Sequence, residues 1–266
     1  MNPFFAMLAR AVENAAAERG YTLLLADSQA SLRTERRLIK NFAARRVDGL
    51  FLWSELLEPD LIDLELADIP VVLLNHGTDL ATAGDPVSMK HTAEGGHGAS
   101  SVGVAFQDGA RMAVEHLIGH GHERIGLVMG TNAGGDRDTR EAGWRQGIEN
   151  AGLIPPGPVL RVPFTREGGY YAGQELLARI ERPTAVFVSS DQQAVALLCA
   201  LHEGGIRVPE DMAVFSFDGS PESEYTWPPR LSTVAQPVAD MARAALDALL
   251  EPPAEEVQTK VFPPLN

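Results

Sequence analysis

The strongest constraint on this chain is a rhythm: short, unbroken apolar runs alternate with segments of helical periodicity along almost its whole length. "YTLLLAD", "VDGLFLW", "IPVVLLN", "SSVGVAF", "RIGLVMG", "PVLRVPF", "TAVFVSS" and "MAVFSFD" are such runs. They are continuous rather than alternating, the pattern of parallel strands covered on both faces. Between them, residues 34–46 place Leu38, Ile39 and Phe42 on one helical face, and 107–119, 136–152, 166–180, 191–203 and 238–250 read as further helices. The chain opens on "NPFFAMLAR", where Asn2 suits an N-cap and Pro3 the first helical position. Repeated strand–helix units predict an α/β fold of doubly wound parallel sheets, and their number predicts two sheets rather than one. "EPDLIDLELAD" is expected as a short helix, residues 77–101 as a loop, "PPRLSTVAQP" as a crossing segment and "VQTKVF" as a last strand.

Composition removes several function classes. Asp and Glu number 36 against 22 Lys and Arg, a net charge of −14, so the chain repels phosphate backbones and is a poor nucleic-acid binder by itself. Cys199 is the one cysteine, which excludes an internal disulfide and fits a reducing compartment; inside "AVALLCALHEGG" it is expected in the core. No apolar run reaches membrane-spanning length and the first residues lack the order of a signal peptide, so a cytoplasmic location is expected. There is no phosphate-binding G-x-x-x-x-G-K-[ST] loop and no G-x-S-x-G elbow, and "GTNAGGD" has the wrong glycine spacing for a dinucleotide loop. His116, His120 and His122 cluster without a supporting ligand pattern, so neither a metal nor a cofactor is expected.

Ligands of doubly wound folds sit beyond the carboxyl ends of the strands. That edge collects Asp218, Ser189, Ser190 and Asp108, with Arg140 in the helix after "GTNAGGD". Carboxylates accept from hydroxyls and a guanidinium donates in a fixed fork, so these groups suit sugar hydroxyls or a polar heterocycle. Phe4, Phe5, Phe164 and Phe187 lie near element ends and are candidates for flat apolar walls. Each has a structural alternative: Asp108 and Asp191 as helix caps, Arg140 as a solvated helix residue, Phe5 as core. No acid/base constellation emerges, which sets a sugar hydrolase well behind a binding protein.

The order of motifs carries a family resemblance. "NPFFAMLARAVENAAAERGYTLLLADS", "RRVDGLFL", "IPVVLLN", "DGARMAVEHLIGHGHERIGLVMG", "REAGWRQGIENAGL", "RPTAVFVSSDQQAVALLCALHEGGIRVPEDMAVFSFDG" and "PPRLSTVAQPV" follow one another from Asn2 to about Phe262. In this order they resemble the effector-binding core of the lactose/galactose-repressor (LacI/GalR) family of bacterial transcription regulators. The resemblance implies two periplasmic-binding-protein-like lobes with a ligand cleft between them: residues 1–121 plus 237–252, and 122–236 plus 253–266. It implies a small-molecule effector, a sugar or a nucleobase, whose binding closes the lobes. Carried over by position, the contacts are Phe4, Phe5, Asp108, Arg140, Phe164, Phe187, Asp218 and Gln236, with Ser190 where many members have asparagine. A homodimer is implied, touching operator DNA only through a helix-turn-helix head. That head, its hinge helix and the strand that should precede "NPFF" are not in the sequence. The competing reading of the same architecture is a transport-associated periplasmic sugar-binding protein.

Overall fold

The computed structural model describes residues 2–29, 31–53, 69–74, 100–131, 139–153, 157–226, 229–251 and 259–263. The expected helix at 58–68, residues 77–99 of the expected loop and most of "GTNAGGD" lie outside the described residues, while residues 100 and 101 open a strand. Helices α1 (Pro3–Glu18) and α2 (Leu32–Ala44) precede β1 (Leu50–Leu52), β2 (Val71–Leu74) and β3 (Ser100–Val104). Then come α3 (Phe106–Gly119), β4 (Ile125–Thr131), α4 (Arg140–Asn150), β5 (Val159–Pro163), α5 (Arg166–Ala178), β6 (Ala185–Val188), α6 (Asp191–Glu203) and β7 (Ala213–Asp218). The short α7 (Pro221–Glu224), β8 (Ser232–Ala235), α8 (Val238–Leu250) and β9 (Thr259–Phe262) follow.

The strands form two sheets, ordered β1–β2–β3–β9 and β5–β4–β6–β7–β8, and every pairing is parallel. The apolar runs do what their composition dictates: all of β2 and β6 is buried, and β4 is buried up to its last residue. On one face of the second sheet, Val128, Val186, Val188 and Val214 meet Ala172 and Leu176 of α5 and Leu197 and Leu201 of α6. Helix α3 buries Ala110, Ala113, Val114 and Leu117 and packs on α4, β6, β7 and β8. In the first sheet, Ile39 of α2 packs with Leu50, Val71 and Leu73, while α8 packs on β2 and β3.

The chain divides into two compact units: Met1–Met7, Phe106–Gln236 and Pro263–Asn266 in one, Leu8–Ala105 and Pro237–Phe262 in the other. This differs from the expected boundaries at two places. Helix α3 goes with the second sheet, because its apolar face is buried there. Strand β9 pairs with β3, from Ser101–Thr259 to Val104–Phe262, and so belongs to the first sheet rather than to the C-terminal lobe.

Three local expectations are corrected. Residues 21–27 form no strand; they carry no regular secondary structure, with Tyr21 40%, Leu24 51% and Leu25 70% exposed. A strand is stabilised by its neighbours, and among the described residues none pairs with this run. The segment expected to be a crossing contains β8, which completes the edge of the second sheet beside β7. Cys199 is exposed on α6, not in the core.

Candidate functional site

The second sheet places a crevice by its strand order. From β4 the chain crosses to β5 on one side, then returns to β6 on the other. Connections beyond the carboxyl ends of β4 and β6 therefore diverge, which is where open α/β sheets take ligands. Thr131 ends β4, Ser189 follows β6, and Asp218 ends the next strand, β7.

Arg140 is the first residue of α4 and is only 7% exposed. Its guanidinium carbon lies 4.8 Å from the ring centre of Phe106, 5.2 Å from Phe164 and 5.3 Å from Phe217. Aromatic faces stabilise a cation that has lost much of its water. Nη1 also donates to the Ser189 carbonyl at 2.5 Å. The Phe164 ring lies directly over Gly130, where a Cβ would come within 2.0 Å of it, so glycine is required for this wall to stand where it does.

Asp218 has a φ of 124°, a conformation L-residues rarely adopt, and Gly219 follows at 68°. Such strain persists only where surrounding structure holds it, and it concentrates at ligand sites. The carboxylate is buried. Oδ1 accepts from Gln236 Nε2 at 3.0 Å and Oδ2 from Asn2 Nδ2 at 3.3 Å. Burial pushes the carboxyl up to about 7; Arg140 opposes the rise and the Asp191 carboxylate adds to it. Gln236 Oε1 is buried with no hydrogen-bond partner among the described residues, a spare acceptor beside Asp218.

The start of α6, "SSDQQ", organises the strand ends. Ser189, Ser190, Asp191, Gln192 and Gln193 are all buried. Ser190 Oγ accepts from the Gln193 amide as N-cap, and both serine hydroxyls donate to Gln193 Oε1 at 2.9 Å. Gln192 and Gln193 reach across to the carbonyls of Phe164 and Pro163.

The expected site residues thus separate. Arg140, Phe164, Asp218 and Gln236 converge, and with them Phe106, Phe217 and Asn2, which the sequence reading passed over. Asn2 was legible only as a cap; its Oδ1 does accept from the Phe4 amide at 3.1 Å while Nδ2 reaches Asp218. Phe4 is buried and meets Phe5 edge-to-face at 5.7 Å, two residues along the chain from Asn2. One expected residue lies apart from this cluster, and two expectations are corrected. Asp108 has a side chain 61% exposed and pairs with Arg111 one turn along α3. Phe187 is fully buried in the middle of the sheet, opposite Leu127, because strand alternation turns it into the core. Ser190 spends its hydroxyl capping α6. Among the described residues no group of three or more His, Cys, Asp or Glu side chains could hold a metal ion.

Comparison with known proteins bears on this geometry. A family described as "Periplasmic binding protein-like domain" matches residues 114–264. The HTH-type transcriptional repressor PurR of Escherichia fergusonii is 34% identical over 251 residues, 93% of this chain and 69% of its own length. Among solved structures, a LacI family transcriptional regulator from Enterococcus faecium with bound ribose superposes with a TM-score of 0.80 at 25% identity, covering 99% of this chain and 92% of that one. A putative ribose operon repressor from Burkholderia thailandensis gives 0.78 at 29% identity, covering 98% and 93%.

Proposed function

We propose a function from the premise that this chain belongs to the LacI/GalR family of transcription regulators, as an effector-binding core and not an enzyme. The transport-associated reading gives way to it, since the curated relatives are transcriptional repressors. The effector site is the cluster around Arg140 and Asp218, and the effector is a small neutral polyol, a sugar. What carries this reading is the pairing of two buried acceptors, the Asp218 carboxylate and Gln236 Oε1, which has no partner among the described residues, with a buried guanidinium between phenylalanine rings. Adjacent hydroxyls supply the donor that Gln236 Oε1 lacks and a further donor to the Asp218 carboxylate, whose oxygens can each accept more than one bond; Arg140 takes a ring or hydroxyl oxygen, and the rings cover apolar C–H faces. The ribose held by the Enterococcus relative supports a sugar over a nucleobase.

Regulation then follows from differential affinity: an effector favours whichever state of the core binds it better, and attached heads read that state. In this reading the core works in the bacterial cytoplasm as a homodimer and touches operator DNA only through a helix-turn-helix head. The test is a thermal-shift and calorimetric screen of pentoses, hexoses and nucleobases on the wild type and on Asp218→Ala. A sugar should bind the wild type, and the variant should lose about 10- to 150-fold in affinity, the worth of a hydrogen bond to a charged group. Equal affinity of the two proteins would sink the assignment, and a nucleobase as sole ligand would replace the sugar.

A further inference from the structure

We propose that Asp191 is the positioning residue of this site: its carboxylate clamps the turn at Asp218–Ser220 and thereby sets where the Asp218 carboxylate points. Asp191 is fully buried at the first turn of α6, yet it does not act as the cap of that helix, which is Ser190. Instead it gathers three other segments. Oδ1 accepts from Ser216 Oγ of β7 at 2.5 Å and from Thr233 Oγ1 of β8 at 2.6 Å. Oδ2 accepts from the Ser220 backbone amide at 2.6 Å. Thr233 Oγ1 in turn accepts from the Gly219 amide at 3.2 Å. Both amides that follow the strained Asp218 are therefore tied, directly or through one hydroxyl, to a single carboxylate. A φ of 124° has no local reason to persist at an aspartate, so something must hold it. No other buried carboxylate among the described residues reaches that turn.

The charge has a second effect. Asp218 is faced by Arg140 from α4, Asp191 from α6, Asn2 ahead of α1 and Gln236 after β8. Burial raises Asp191 as well, and its three donors oppose the rise. Removing Asp191's charge must lower the proton affinity of Asp218.

The consequence for effector binding rests on Asp218 being the effector acceptor; the clamp itself is tested without ligand. The full chain, wild type and Asp191→Asn, is followed by amide hydrogen exchange and by carbon-13 NMR titration of labelled aspartates. In the variant the Ser220 amide should exchange at least about tenfold faster, the loss of one charge-assisted bond. The Asp218 midpoint should fall, while that of Asp211, held at about 2 by Arg207 on the surface, stays put. An unchanged Ser220 amide overturns the proposal even if the midpoint moves, for Asp191 is then a charge and no clamp. Faster exchange with an unmoved Asp218 overturns it too. If Asp191→Asn does not fold, Thr233→Val keeps the charge and removes one link. Gly219 exchange should then rise by about two- to tenfold, the worth of a neutral hydrogen bond, and the Asp218 midpoint should move, and a turn as protected as before overturns the clamp. Indifference of effector affinity to Asp218→Ala would sink the effector reading alone.

Discussion

Asp218 is a carboxylate held where water cannot solvate it, and its titration should therefore write itself into folding. Its folded value, about 7, stands above the ordinary 3.8, so folding takes up a proton between those values. Stability is penalised progressively as pH rises through that window, and the penalty is complete above pH 7. Asp218→Asn removes it. Relative to the wild type, the variant should gain about 2–3 kcal/mol between pH 5 and pH 8, measured by urea denaturation at both. A constant difference across that range would mean Asp218 is already ionised in the folded protein. The same proton bears on binding: a sugar hydroxyl donates to the ionised form, so effector affinity should rise with pH through about 7. Calorimetric affinity falling over that interval would instead make Asp218 a donor. Two residues outside the cluster make the opposite kind of prediction. Phe187→Ala, deep in the sheet, should cost about 3–5 kcal/mol of stability. Asp108→Ala breaks one exposed ion pair and should change stability by less than about 1 kcal/mol and leave effector affinity alone. Denaturation curves of the two variants check both.

Strands and helices obey their sequence where neighbours exist to receive them. Residues 21–27 show what happens otherwise. "YTLLLAD" has the composition of a buried strand, yet Leu24 and Leu25 face solvent and no described strand pairs with the run. Apolar side chains displayed along unpaired backbone invite association. Leu25→Lys should therefore reduce self-association and hydrophobic-dye binding while changing folding stability by about 0.5 kcal/mol or less, as sedimentation velocity and denaturation would report. A large stability loss would show that Leu25 is packed in solution. The same contrast explains what the sequence could disclose. Asp218 and Arg140 were readable because position alone, at a strand end and a helix start, brings them to the ligand edge. Phe187 misled because β6 is apolar on both faces, so composition does not say which way a ring turns. Phe106 and Phe217 were missed because their relevance is a distance to Arg140, set by how α3 lies on the sheet. β8 hid between prolines, since an edge strand of four residues carries little periodicity of its own.

For the molecule as a whole, net charge decides which partner it cannot take unaided. With 36 acidic and 22 basic residues, its field repels a duplex whose phosphates are spaced more closely than a Debye length in physiological salt. Proteins that bind DNA nonspecifically do so by releasing condensed counterions, and basic ones reach about 10⁻⁴ to 10⁻⁶ M at that salt. This chain has no such surplus to offer, so its dissociation constant for any duplex should lie above about 10⁻³ M. Fluorescence anisotropy of a labelled duplex in 0.15 M salt, with and without a bound sugar, reads this directly. If the acidic core only senses, anisotropy stays flat in both, and DNA affinity arises solely when a basic helix-turn-helix head is joined to it. Binding by the isolated chain, strengthening as salt falls, would place a DNA-contacting surface on the core itself and overturn the division of labour between sensor and head.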